Sequence, residues 1–209
     1  MISVIFDMDG TLLDTQRICI PAWDYAGERQ GLSGLGRYIP SVCGMNAQGW
    51  GKYLLDRHPE IDLEKFTVES RQYALDNLVI RYKKGAGELL SYLWDKGIRT
   101  AVASGSSHGS IEHHLRELGI YERFDAIVGG HDVEQGKPAP DIFLLAAEKI
   151  GARPEDCIVF EDSANGVRAG HAAGMRVIGI PDIRPFSDDV RALLWRELAD
   201  MTEAIALFG

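Results

Sequence analysis

The residues best suited to chemistry in this chain stand just past short apolar runs. Residues 2–6 are followed by Asp7-Met8-Asp9-Gly10-Thr11, residues 99–103 by Ser104-Gly105, and residues 157–160 by Glu161-Asp162. The run through Val128 leads into a loop bearing Lys137. Together they supply carboxylates, a hydroxyl and an ammonium. Carboxylate oxygens suit a hard divalent cation, and a hydroxyl with an ammonium can balance the charge of a phosphoryl group. Each residue also has an ordinary reading. Asp7 could end a strand and Asp9-Gly10 form a turn; Ser104 could open a helix, and Asp162 or Ser163 could cap one. Lys137 could be a solvated loop lysine. Four strand-end features, each of a fitting chemical type, favour the shared reading over four separate ones.

The elements that must position these residues follow from periodicity. Five short apolar, β-branched runs, at 2–6, 99–103, 126–128, 157–160 and 176–180, read as buried strands. Helix-period stretches lie between them at about 86–96, 107–118, 140–150 and 164–173. Strands alternating with helices predict an α/β fold, a Rossmann-like parallel sheet with helices on both faces. In such sheets ligands bind beyond the carboxyl ends of the strands, where the polar residues stand. Residues 16–82 lack a comparable strand and carry helical patterns near 18–29, 47–57 and 63–80. They are expected to form a helical insertion, leaving 1–15 and 83–209 as the core. After Pro185 a weakly patterned helix or two is expected.

Composition narrows the function classes. The chain has 209 residues, 45% hydrophobic and 25% charged, an ordinary globular balance. With 22 basic against 31 acidic residues its net charge is −9, so no nucleic-acid partner is expected. No run approaches the ~20 apolar residues of a membrane helix. The apolar start is too short for a signal peptide. Cys19, Cys43 and Cys157 are widely spaced and read as free thiols of a cytoplasmic protein. Gly31–Gly36 has GxxGxG spacing and follows no strand, so it is a turn rather than a dinucleotide site. Gly136-Lys137 lacks the first glycine and the Ser/Thr of a P-loop.

With these motifs in view, the chain resembles the haloacid dehalogenase-like superfamily of phosphohydrolases, in the branch containing β-phosphoglucomutase and small-metabolite phosphatases. The resemblance rests on Asp7-Met8-Asp9-Gly10-Thr11-Leu12, Val102-Ala103-Ser104-Gly105-Ser106 and Gly136-Lys137-Pro138-Ala139-Pro140-Asp141. A fourth stretch runs from Phe160-Glu161-Asp162-Ser163 to Ala172-Ala173-Gly174-Met175. It implies that Asp7 attacks phosphorus to form an aspartyl-phosphate, with Asp9 as general acid and base. It also implies Mg2+ on Asp7, the Asp9 carbonyl and Asp162, with Glu161 a ligand or one step behind. Ser104, Gly105 and Lys137 would bind the phosphoryl oxygens. The 16–82 insertion would be the cap over the site.

The resemblance implies a phosphatase acting on a small phosphorylated metabolite, a sugar phosphate or similar, and a monomer is the default expectation for a capped single-core enzyme. The alternative is a β-phosphoglucomutase-like mutase, which must hold a second phosphate. Mutases of this branch carry an arginine three residues after a cap glycine; counting without gaps from Gly44, Ala47 stands there. They also place a lysine and an asparagine after the second-motif serine, where Ser107 and His108 stand here. Hydrolysis is therefore expected. Lys52, Arg37 and Arg57 could still supply a cation from a shifted cap, although each also reads as a solvated charge. Asn46, Gln48 and Trp50 are the candidate substrate contacts of the cap, with Trp50 and Tyr53 equally suited to its core. His108, His113 and His114 are expected on a helix surface.

Overall fold

The computed structural model describes residues 2–42 and 45–209. Cys43 and Gly44, the starting point of the cap count, lie outside the described residues. The chain opens with β1 (Ser3–Phe6) and then four helices: α1 (Cys19–Glu28), α2 (Ile39–Val42), α3 (Ala47–Leu55) and α4 (Leu63–Asn77). Alternation follows: α5 (Ala86–Asp95), β2 (Arg99–Ala103), α6 (His108–Glu117), β3 (Ala126–Val128), α7 (Asp141–Lys149), β4 (Cys157–Glu161), α8 (Ala164–Ala172) and β5 (Arg176–Gly179). The chain ends with α9 (Asp188–Arg191), β6 (Arg196–Glu197) and a 3-10 helix, Met201–Leu207.

The sheet order is β3-β2-β1-β4-β5-β6, with every pair parallel. Parallel neighbours need crossover connections, which the helices provide on both faces. In β1 the period of two sends Val4 and Phe6 to one face and Ile5 to the other. Leu89, Leu90 and Leu93 of α5 and Ile111 and Leu115 of α6 cover the first face. Ile142 and Phe143 of α7 and Val167 of α8 cover the second. Full burial of each such leucine or phenylalanine stabilises the fold by about 1.5–3 kcal/mol. The expected α/β architecture is the observed one.

The tail differs from expectation. Where only helix was read after Pro185, the chain adds a sixth strand, with Ile178 and Gly179 of β5 paired to Arg196 and Glu197. Two exposed, oppositely charged residues at a sheet edge carry no apolar period to read. The turn at Gly31–Gly36 also runs into a short 3-10 segment, Leu35–Tyr38.

Helices α1 to α4 make an apolar cluster of their own around Trp23, Leu35, Leu54 and Phe66. Their two connections to the sheet run side by side: Asp14 N–H donates to the Arg81 carbonyl (2.9 Å) and Lys83 N–H to the Leu12 carbonyl (3.0 Å). Among the described residues no helix is long and apolar enough to cross a membrane.

Candidate active site

Three neighbouring strand ends bring the sequence-predicted residues together. Asp7 leaves β1 with its N–H bonded to the Phe160 carbonyl, and Ser104 leaves β2 bonded to the Val128 carbonyl, each at 3.0 Å. Lys137, from the loop before α7, reaches between them. Its Nζ donates to Asp7 Oδ1 (2.6 Å), Glu161 Oε1 (2.6 Å) and the Ala103 carbonyl (3.1 Å). Three donors meet three acceptors, so this buried ammonium is satisfied. The ring of Phe143 closes another side, 4.7 Å from Nζ to its centroid. Burial works against the charge, but the carboxylates of Asp7 and Glu161 overcome it and hold the ammonium above its ordinary value.

Glu161 is wholly buried, and both of its oxygens are engaged. Oε1 takes Lys137; Oε2 accepts from the Asp162 N–H (3.0 Å), the Ser163 N–H (2.9 Å) and the Ser163 hydroxyl (3.0 Å). Ser163 also caps α8 by accepting from the Gly166 N–H at 3.0 Å. Gly166 is required there, because a Cβ would collide with the Glu161 carboxylate. Asp162 Oδ1 accepts from the Thr11 hydroxyl at 2.9 Å.

Asp7, Glu161 and Asp162 can each offer an oxygen within 4.8 Å of the others, all three side chains being buried. Burial pushes the Asp7 carboxyl up to about 8, against the pull of Lys137 and with repulsion from Glu161 and Asp9 adding to the rise. Asp162 is also raised well above its ordinary value, by burial and then by Glu161 and Asp7. Three crowded carboxylates facing one ammonium leave an excess of negative charge. An all-oxygen donor set of that charge fits a hard divalent cation.

Asp9 stands apart from this group. Its Oδ1 accepts from the Thr15 hydroxyl (2.5 Å), and its Oδ2 from the hydroxyls of Ser106 (2.7 Å) and Ser104 (3.2 Å). Ser104 Oγ in turn accepts from the Ser106 N–H at 3.1 Å. Gly10, at φ +88°, turns the chain directly after Asp9, and a Cβ there would strike Gln16 and Asp162. The Gln16 side-chain amide donates to the Asp9 carbonyl, the main-chain oxygen expected to face a cation. Thr11, Thr15, Gln16 and Ser106 are the contacts that sequence reasoning missed. Ser106 lies inside the second motif, and hydroxyls four and eight residues after Asp7 were the available signal for the threonines.

The helices between β1 and α5 place the remaining candidates unevenly. Asn46 caps α3 through the Gly49 N–H (2.9 Å), and its side chain lies against the backbone of Gly136, beside Lys137. Gln48 is exposed. Trp50 packs 5.5 Å from Trp23 and 6.5 Å from Phe66 between ring centroids, in the apolar cluster of these helices. Arg37 and Arg57 lie over the rings of Tyr38 and Tyr53, and Lys52 is exposed. His108 bonds Asp132 at 2.6 Å, and His113 pairs with Glu117 at 3.6 Å. His114, expected on a surface, is buried instead, because it shares the inward face of α6 with Ile111 and Leu115.

A cleft of about 290 Å³ opens beside Asp162, between the loop after β5 and the inserted helices. Asp7 and Lys137 lie deeper and do not line it.

A family model for haloacid dehalogenase-like hydrolases matches residues 3–174. A phosphorylated carbohydrates phosphatase of Thermotoga maritima is 32% identical over 184 residues, 86% of this chain and 85% of that protein. The fructose-1-phosphate phosphatase YqaB of Escherichia coli is 32% identical over 192 residues, 85% of this chain and 95% of that protein. The crystal structure of a hydrolase from Pseudomonas syringae superposes with a TM-score of 0.87 at 25% identity, covering 100% of this chain and 98% of that one. With a matched model spanning both the Asp7 and Asp162 strand ends, the chain belongs to the haloacid dehalogenase-like hydrolase family.

Proposed function

We propose that the chain hydrolyses a small phosphorylated metabolite, a sugar phosphate or similar, through a phosphoaspartate on Asp7. The chain is a phosphoric monoester hydrolase, and its relatives in the family include enzymes named for phosphorylated carbohydrates and fructose 1-phosphate. The observation that carries the reading is the division of labour between two carboxylates two residues apart. Asp7 sits in the buried acidic group under Lys137, while Asp9 is held outside it by three hydroxyls.

In the first step an Asp7 carboxylate oxygen attacks phosphorus, and the bond to the leaving oxygen breaks as Asp9 gives that oxygen a proton. In the second, water attacks phosphorus while Asp9 takes its proton, and the bond to Asp7 breaks. General acid–base work of this kind contributes about 10²–10⁴-fold. Lys137 keeps Asp7 aimed and offsets charge, while the Ser104 hydroxyl and the amide of Gly105 bind phosphoryl oxygens. Asp7, Asp162 and the Asp9 carbonyl would hold Mg2+, with Glu161 behind them because its oxygens are already engaged. The cation would supply Lewis-acid polarisation of the phosphoryl oxygens.

Residues 16–82 serve as the cap on a core of 1–15 and 83–209, and Asn46 and Gln48 are its candidate substrate contacts. A monomer in the cytoplasm is the setting adopted with this reading. Water is the acceptor: Ser107 is spent capping α6, and His108 on Asp132. Neither is the lysine or the asparagine that mutases of this branch carry at these two positions.

A phosphate-release screen over metabolite esters tests the reading. Release should require magnesium and stop with chelator; undiminished release in chelator would contradict it. A binding readout accompanies it. Magnesium should raise the unfolding temperature of the wild type, and Asp162→Asn should abolish that rise. An equal rise in both proteins would remove Asp162 from the cation site.

A further inference from the structure

The cleft beside Asp162 includes Gln16, Ser41, Asn165, Arg168 and Arg184 in its lining. Its two arginines differ in their commitments. Arg168 Nη2 is 2.6 Å from Asp189 Oδ2. Arg184 is exposed and has no ion pair among the described residues. In a chain of net charge −9, an arginine left without a carboxylate on the wall of the cleft nearest the acidic group is a matched site for an anion.

The local chain fixes the backbone that carries this arginine. Two residues earlier, Asp182 Oδ1 receives Lys83 Nζ at 2.6 Å and Arg17 Nη2 at 3.4 Å, so the loop is tied to both connections of the inserted helices. Ile183 packs against the apolar cluster of those helices. Phe186 is buried in the sheet's second face. Arg184 therefore stands on backbone pinned from both sides, where core and inserted helices meet. The arginines of the inserted helices are placed differently, since Arg37 and Arg57 lie over tyrosine rings.

We propose that Arg184 is a specificity-determining residue that binds a second anionic group, carboxylate or phosphate, on the alcohol side of the substrate. The assignment rests on the phosphatase reading above. A guanidinium fork can engage either anion bidentately. Esters whose alcohol carries only hydroxyls would make no such contact.

The test compares wild type, Arg184→Gln, Arg184→Lys and Arg37→Gln on four esters with magnesium. These are p-nitrophenyl phosphate, fructose 1-phosphate, 2-phosphoglycolate and fructose 1,6-bisphosphate. Wild type should favour at least one of the two esters with a second anionic group, 2-phosphoglycolate or fructose 1,6-bisphosphate, in kcat/KM over fructose 1-phosphate. Arg184→Gln should raise KM for that ester by about 10- to 100-fold, the range of a lost charged hydrogen bond. It should leave kcat and both esters without a second anionic group within about twofold, with Arg184→Lys in between and Arg37→Gln like wild type. Uniform loss on all esters, no change on any, or an Arg37-dependent preference would overturn the assignment while leaving the phosphatase reading intact. Failure of wild type to release phosphate from any of the four would overturn both.

Discussion

Replacing Asp7 with asparagine lowers phosphate release by at least about 10³-fold, the scale on which nucleophile removal acts. The amide keeps the shape of the side chain and an oxygen for Lys137 to bond, but it has no anionic oxygen to attack phosphorus. The loss is separable from misfolding by a stability measurement with a definite sign. Burial raises the Asp7 carboxyl from its ordinary 3.8 to about 8. A carboxyl raised on folding contributes stability below its unfolded value and loses that contribution as pH rises through the folded one. Asparagine has no proton to lose, so in chelator at pH 8 the variant should unfold no more easily than wild type. Equal rates of phosphate release from the two proteins would remove Asp7 from the chemistry.

Lys137→Met is expected to cost both stability and turnover. The ammonium is wholly buried between Asp7 and Glu161, and removing one partner from such a group leaves uncompensated buried charge at about 3–5 kcal/mol. Because Lys137 is held above its ordinary 10.5 on folding, its contribution is complete across neutral pH. It fades only as pH climbs through that raised value. Urea unfolding at pH 7 should show the deficit in full, and magnesium should recover part of it by neutralising the carboxylates. A variant as stable as wild type at pH 7 would show that the two carboxylates do not need this countercharge.

Much of this arrangement is legible in the chain before folding is considered. The apolar runs ending at Phe6, Ala103, Val128 and Phe160 are strands, buried except at Arg99 and the half-buried Ala126 and Ile127, and a parallel sheet puts their carboxyl ends on one edge. That is why the sequence alone groups Asp7, Ser104, Lys137 and Asp162. What could not be read is partnership at a distance. Ser106 bonds Asp9 from 97 positions away, and Thr11 reaches Asp162 across 151. A hydroxyl's partner is set by sheet register and turn geometry, not by its own neighbours. Likewise β6 is two exposed charged residues without an apolar period. Arg184 follows no motif, and its setting depends on the loop tied down by Asp182 and Ile183. Trp50 shows the converse, a conspicuous residue whose ring helps build the apolar cluster of the inserted helices.

In the proposed reaction the phosphoryl group passes through Asp7 before it reaches water. Each in-line displacement at phosphorus inverts its configuration, so two in succession restore it. Hydrolysing a chiral, oxygen-isotope-labelled thiophosphate ester in labelled water, and determining the configuration of the released thiophosphate, reads this directly. Net retention is the predicted result, and net inversion would show a single direct attack by water with no phosphoaspartate on Asp7.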